Sequence, residues 1–187
     1  MLPIAHRQPR RFLLAVLASS LVATFCPPSA SAQLGKPEGL YYKSWAIVIG
    51  VENYLLAPKI PGAIEDAKAV AQAFRQLGFD EVVELYDKDA SVRRLQQMLS
   101  DFLPRKVGRH DRLVLYFAGH AGVTQDLAGK ELGYLVPWDA QIGNVSKSMT
   151  FEQLKEFSRR SASKHTLFFL NAAVSGWEVS TVQPLSL

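Results

Sequence analysis

The chain has 187 residues, 48% of them hydrophobic and 20% charged, with one cysteine and a formal net charge of +4. That is enough apolar material for one modest domain. Arg7, Arg10 and Arg11 lie ahead of the apolar run Phe12 to Phe25; without them 18 basic residues face 17 acidic ones, and the charge falls to +1. The basicity therefore belongs to targeting, and no nucleic-acid partner is implied. Residues 1–32 read as a secretory signal peptide: a basic n-region, an apolar stretch short for a bilayer span, and Ala30-Ser31-Ala32 as a small-x-small cleavage site before Gln33. An uncleaved anchor is the alternative, and Arg10-Arg11 hints at a twin-arginine route. Cys26 lies inside the signal, preceded by bulky Phe25 where lipoprotein processing wants a small residue. The mature chain thus has no thiol, and with it no disulfide, Cys-ligated metal site or cysteine nucleophile. The expected location is periplasmic or secreted, with no membrane association after cleavage.

Residues 33–43 read as a linker, 44–181 as the domain and 182–187 as a tail. Trp45 to Val51 is an apolar strand. Gly62 to Leu77 is a helix, with Ala63, Ala67, Val70, Ala71 and Phe74 at helical spacing and Gly78 as its stop. Glu81 to Tyr86 is the second strand. Asp89-Ala90-Ser91 offers N-cap residues for a helix through Leu95, Met98 and Phe102, stopped by Pro104. Leu113 to Phe117 is the third strand, and Thr150 opens a short helix to about Arg160. Leu167 to Leu170 is the fourth strand, apolar at every position and expected to be buried on both faces. Strands alternating with helices predict a mostly parallel sheet of about four strands, covered by helices on both faces. There is no internal repeat and no nucleotide-binding glycine loop, and no cofactor or metal site is read.

Two strand ends carry the chemistry. Leu113-Val114-Leu115-Tyr116-Phe117-Ala118-Gly119-His120-Ala121-Gly122 places a histidine in what reads as a small-residue turn behind an apolar strand. Leu167-Phe168-Phe169-Leu170-Asn171-Ala172-Ala173-Val174-Ser175-Gly176 has the same form. Reactive groups of open α/β sheets collect at that edge. These residues resemble the caspase-like cysteine peptidases, the family of caspases, metacaspases and bacterial relatives. There a strand ending in Gly-His-Gly carries the catalytic His, and one ending in Asp-Ala-Cys-x-Ser-Gly carries the Cys. Trp45 to Tyr54, Pro61-Gly62-Ala63-Ile64-Glu65-Asp66-Ala67 and Gly133 to Ala140 resemble the family's first strand, first helix and post-histidine segment. The resemblance implies a three-layer caspase-like sandwich and a His/Cys dyad at His120 and residue 173.

Residue 173 is alanine. It forms neither a thiolate nor an acyl intermediate. By the same resemblance Asp66, Ala118 and Asn171 mark the pocket for a basic substrate residue. Asn171 stands for an Asp, Ala118 for a frequent Ser, and Ala121, whose N–H would serve the oxyanion hole, for a Gly. Asp66 also has a plain reason in the helix macrodipole, and His120 could cap its turn by hydrogen bonding. His110 and His165 read as solvated surface groups, and Ser175 as part of a Ser-Gly turn rather than a substitute nucleophile. The chain runs only eleven residues past Gly176, which leads to an expected exposed sheet edge, and such edges recruit strands. Three readings follow: an exported pseudoenzyme partnering a second caspase-like chain or a protein substrate; a truncated or engineered-inactive cysteine endopeptidase; or an α/β binding module unrelated to proteolysis.

Overall fold

The computed structural model describes residues 39–126 and 128–175. The signal peptide, its cleavage site, Cys26 and the segment from Gly176 onward lie outside the described residues. The elements are β1 (Ser44–Gly50), α1 (Ala63–Gln76), β2 (Glu81–Tyr86), α2 (Val92–Gln97), α3 (Leu103–Lys106), β3 (Arg112–Gln125), β4 (Glu131–Leu135), β5 (Met149–Thr150), α4 (Phe151–Arg160) and β6 (His165–Ser175). They build one six-stranded sheet. Its parallel part runs β2-β1-β3-β6, with Ile47 opposite both Val83 and Leu115, and Leu115 opposite Phe168. These are the four strands read from apolar runs. β4 and β5, which the sequence reading did not contain, are antiparallel: β4 adds to the distal half of β3, with Ala121 facing Leu135, and β5 adds to β4, with Leu135 facing Met149.

Strand alternation sorts the core into two layers. Ala46, Val48, Val114, Tyr116 and Ala118 face α1, meeting Ala63, Ala67, Ala71 and Phe74. The small residues of α1 let it approach closely. Ile47, Ile49, Leu113, Leu115 and Phe117 face the opposite way, onto Leu95, Met98, Leu103, Leu154 and Phe157 of the other helices. This is a mixed α/β sheet flanked by helices.

Three local expectations are corrected by tertiary context. Ser91 occupies the α2 N-cap without a side-chain cap bond; the Val92 N–H is instead satisfied by the Asp139 carboxylate at 2.8 Å. Pro104 does not stop the helix. Met98–Phe102 forms a π-turn in which the Leu103 N–H bonds back to the Met98 carbonyl, and this widened turn absorbs the proline's missing donor. The third correction concerns β6. Leu167, Phe169 and Leu170 are 50%, 47% and 41% exposed, because among the described residues β6 pairs with β3 alone. The strand's composition suits a covered position, while its place here is a sheet edge.

Candidate functional site

His120 lies not in a turn but within β3, which runs straight through Gln125 because β4 and β6 pair with its distal half. On the parallel partner, His120 stands opposite Ala173, and Ala118 opposite Asn171. Registered residues of neighbouring strands point to one face, so these four positions share a face with Tyr116, the face that carries α1. The expected site residues are thus brought side by side.

His120 is 8% exposed and held on two sides. Its Nε2 lies 2.9 Å from the Pro58 carbonyl. A carbonyl only accepts, so Nε2 carries the proton in the neutral ring and Nδ1 is the lone-pair nitrogen. Nδ1 is buried and has no hydrogen-bond partner among the described residues. The backbone N–H of His120 donates to the Tyr54 hydroxyl at 2.7 Å, and the Tyr54 ring lies 5.0 Å from the imidazole. Burial is the main influence on the Tyr54 hydroxyl and pushes its pKa up; the His120 N–H opposes this, and the Asp87 charge adds to it. Tyr54 therefore stays a neutral phenol. Its hydroxyl fills the space a Cβ would take on the neighbouring Gly119, which is why a glycine precedes the histidine.

The second half of the site is polar. Asn171 Nδ2 donates to Asp66 Oδ2 and to the Tyr116 hydroxyl, each at 3.2 Å. Asp66, in the first turn of α1, is exposed, and Ala118 forms a buried floor. Ala121 is buried within β3, opposite Leu135 and Val174. Ser175 stands opposite Gly122, two positions beyond the His120–Ala173 pair. His110 and His165 are exposed at the opposite end of β3 and β6 from the His120–Ala173 pair, and His165 Nδ1 meets the Tyr41 hydroxyl at 2.9 Å. An apolar cleft of about 340 Å³ opens near Val92, Leu99, Met149 and Phe157, on the opposite side of the sheet. Its titratable lining residues, Glu156 and Arg160, are ion-paired to each other, whereas His120 keeps a buried ring nitrogen without a hydrogen-bond partner among the described residues.

A family model described as the caspase domain matches residues 43–182. The chain belongs to the caspase-domain family. It is 27% identical over 125 residues to metacaspase-1 of Debaryomyces hansenii, covering 56% of this chain and 27% of that protein. In fold it is similar to the crystal structure of protein GSU0716 from Geobacter sulfurreducens, with a TM-score of 0.59 and 19% identity over 72% of this chain and 52% of that one. The chain therefore spans about a quarter of the curated relative and about half of the solved structure.

This caspase domain also contains site residues that sequence reading missed. Pro58 and Tyr54 touch His120, and both lie in the irregular loop between β1 and α1. Asp87 accepts from the N–H groups of Glu52 and Asn53 and from the Asn53 side chain, at 2.8 to 2.9 Å. Trp138 Nε1 donates to the Asn53 carbonyl at 2.8 Å. The available signals were two separate aromatic residues, Tyr54 and Trp138, which by themselves do not distinguish a histidine cradle from core packing.

Proposed function

We propose that this caspase domain is an exported pseudoenzyme: it keeps the architecture of a cysteine peptidase site, binds rather than hydrolyses, and acts through a protein partner. The observation that carries the reading is the pairing of His120 with Ala173. A positioned imidazole with a free Nδ1 faces a methyl group where a nucleophile would stand. General-base help to water alone is worth roughly 10²–10⁴-fold, against roughly 10⁶-fold or more for a working enzyme. The pocket points the same way. Asn171 places an amide donor on Asp66, where a second carboxylate would have added negative charge for a basic side chain. Ala118 adds no hydroxyl to the floor. With no acyl chemistry, the Ala121 N–H has no oxyanion to receive.

The partner role is supported by β6. From Thr166 to Ser175 the strand carries no charged residue, among the described residues it pairs with β3 alone, and Leu167, Phe169 and Leu170 are exposed. Natural edges are usually blunted by charges, proline or bulges, and this one is not. A second caspase-like chain, adding a strand there, is the partner this edge fits. Export is read from the signal at residues 1–32 and predicts a mature N-terminus at Gln33.

The test is turnover by the purified chain from Gln33 on peptides with basic or acidic residues at the cleaved position. No cleavage above a matched His120→Ala variant is expected. Ala173→Cys should restore little, because Asn171 and Ala118 remain. Turnover by the unaltered chain that disappears in His120→Ala would overturn the reading, whereas altered activity of an added caspase-like peptidase would support the partner role.

A further inference from the structure

We propose that Asp87 is the positioning residue of the His120 site: acting through the loop between β1 and α1, its carboxylate holds Pro58 and Tyr54 on the imidazole and so fixes which ring nitrogen bears the proton. Asp87 does not itself touch His120. Its Oδ1 accepts the backbone N–H groups of Glu52 and Asn53 at 2.8 and 2.9 Å, and its Oδ2 accepts Asn53 Nδ2 at 2.8 Å. One carboxylate therefore ties down three donors at the start of the loop. Tyr54, the next residue, gives its hydroxyl to the His120 N–H, and Pro58, four further on, gives its carbonyl to Nε2.

The rest of the loop is closed around this anchor. The Ile60 N–H donates to the Glu52 carbonyl at 3.0 Å, and the Gly62 N–H to the Glu52 carboxylate at 3.2 Å. On the other flank, the Leu55 N–H bonds the Trp138 carbonyl at 3.0 Å and the Trp138 indole bonds the Asn53 carbonyl. Glu52 and Asn53 are the junction of these bonds, and Asp87 is what holds both. Its backbone is unusual as well. Asp87 is the sole non-glycine residue with positive φ among the described residues, at 44°. That left-handed conformation is tolerated by aspartate and is uncommon for most other side chains. A locally unfavourable backbone kept where a carboxylate makes three bonds is a mark of a functional constraint.

Ionisation agrees with this geometry. Burial would raise the Asp87 carboxyl, but the Asn53 side chain and N–H, the Glu52 N–H and the Lys59 charge hold it below the usual carboxylate range. A charged acceptor makes each of those bonds stronger than a neutral one would. Fixing Nε2–H against Pro58 leaves Nδ1 as the ring's acceptor, whatever that atom then meets. The assignment concerns the ring alone and stands whether or not the site binds a peptide.

The experiment is long-range ¹H–¹⁵N NMR of the histidine side chains in the ligand-free chain, at a pH where the rings are neutral. His120 is assigned by its loss in His120→Ala. The unaltered chain should show His120 as a single Nε2–H tautomer. Asp87→Gly keeps the backbone free to adopt positive φ while deleting the carboxylate. It should turn His120 into a mixture of both tautomers and leave His110 and His165 unchanged. Asp87→Asn, which retains one acceptor oxygen, should fall between. The control is Asp111→Asn. Asp111 is another multiply bonded carboxylate, accepting from Lys43, Gly108 and the Trp45 indole; it precedes β3 and should cost stability without moving the His120 signal. If Asp87→Gly does not fold, Asn53→Ala removes one of the three bonds and should give a smaller change in the same direction. Destabilisation in Asp87→Gly with an unaltered His120 tautomer, or no tautomer change in Asn53→Ala when Asp87→Gly is unfolded, would overturn the proposal.

Discussion

At the scale of single residues, the two sides of the His120–Ala173 pair are held very differently. His120 retains a carbonyl on one ring nitrogen and a phenol on its backbone N–H, whereas the position opposite is a methyl group. Asn171 is the more informative change. An aspartate there would stand beside Asp66 as a second negative charge; an asparagine donates to Asp66 and to Tyr116 instead. Asp87 has a measurable consequence in acid. Burial opposes its charge, yet its bonds to Asn53 and Glu52 and the nearby Lys59 leave its folded pKa below the unfolded one. Glu84 behaves alike: burial opposes its charge, and Arg75, Tyr86 and Lys68 outweigh it. Stability from such a group is fully present above the unfolded carboxylate value of about 4 and is lost as pH falls through the folded value. Thermal midpoints recorded from about pH 6 down to about pH 3 should therefore fall less steeply for Asp87→Asn than for the unaltered chain, from a lower starting point. Parallel curves would show that the carboxylate contributes no proton linkage.

At the scale of elements, the helices differ in where their ends are decided. α4 carries its own start: the Thr150 hydroxyl accepts the Gln153 N–H, and the Gln153 side chain accepts the Thr150 N–H. This reciprocal capping box is readable from Thr150-Phe151-Glu152-Gln153 alone. Thr150→Ala should cost about 1 kcal/mol, seen as a lower midpoint in denaturant with an unchanged slope. α2 has its first N–H satisfied from Asp139, 47 positions along the chain, which no local pattern reveals. The π-turn ahead of Pro104 is of the same kind. A proline reads as a stop, yet Met98–Phe102 widens and the helix continues to Lys106. It does so because Met98 and Leu103 are both buried against the sheet, and that packing favours continuing the helix.

At the scale of the whole molecule, the sheet is asymmetric. One parallel edge, β2, carries Glu81 and Glu84, the kind of charge that discourages strand addition. The other edge among the described residues, β6, presents apolar side chains on both faces, with no charge from Thr166 to Ser175. Leu170→Lys should lower concentration-dependent association of the mature chain, measured by sedimentation velocity, with little loss of fold because Leu170 is already 41% exposed. Unchanged association would place the sticky surface elsewhere. What the sequence determined by itself was the order of parallel strands and helices, the capping box of α4, and the coincidence of His120 with residue 173. Each of these is written in short-range periodicity or in the side chain at the end of an apolar run. What only the tertiary structure decided was the continuation of β3 past His120, the exposure of β6, the distant cap of α2, and the loop that brings Pro58, Tyr54 and Asp87 to the histidine. Those depend on contacts between segments 30 to 70 residues apart or more, such as Glu52 with Asp87, Pro58 with His120 and Val92 with Asp139. A backbone carbonyl or N–H at such a contact has no side-chain signature, so a sequence can specify the histidine without showing what holds it.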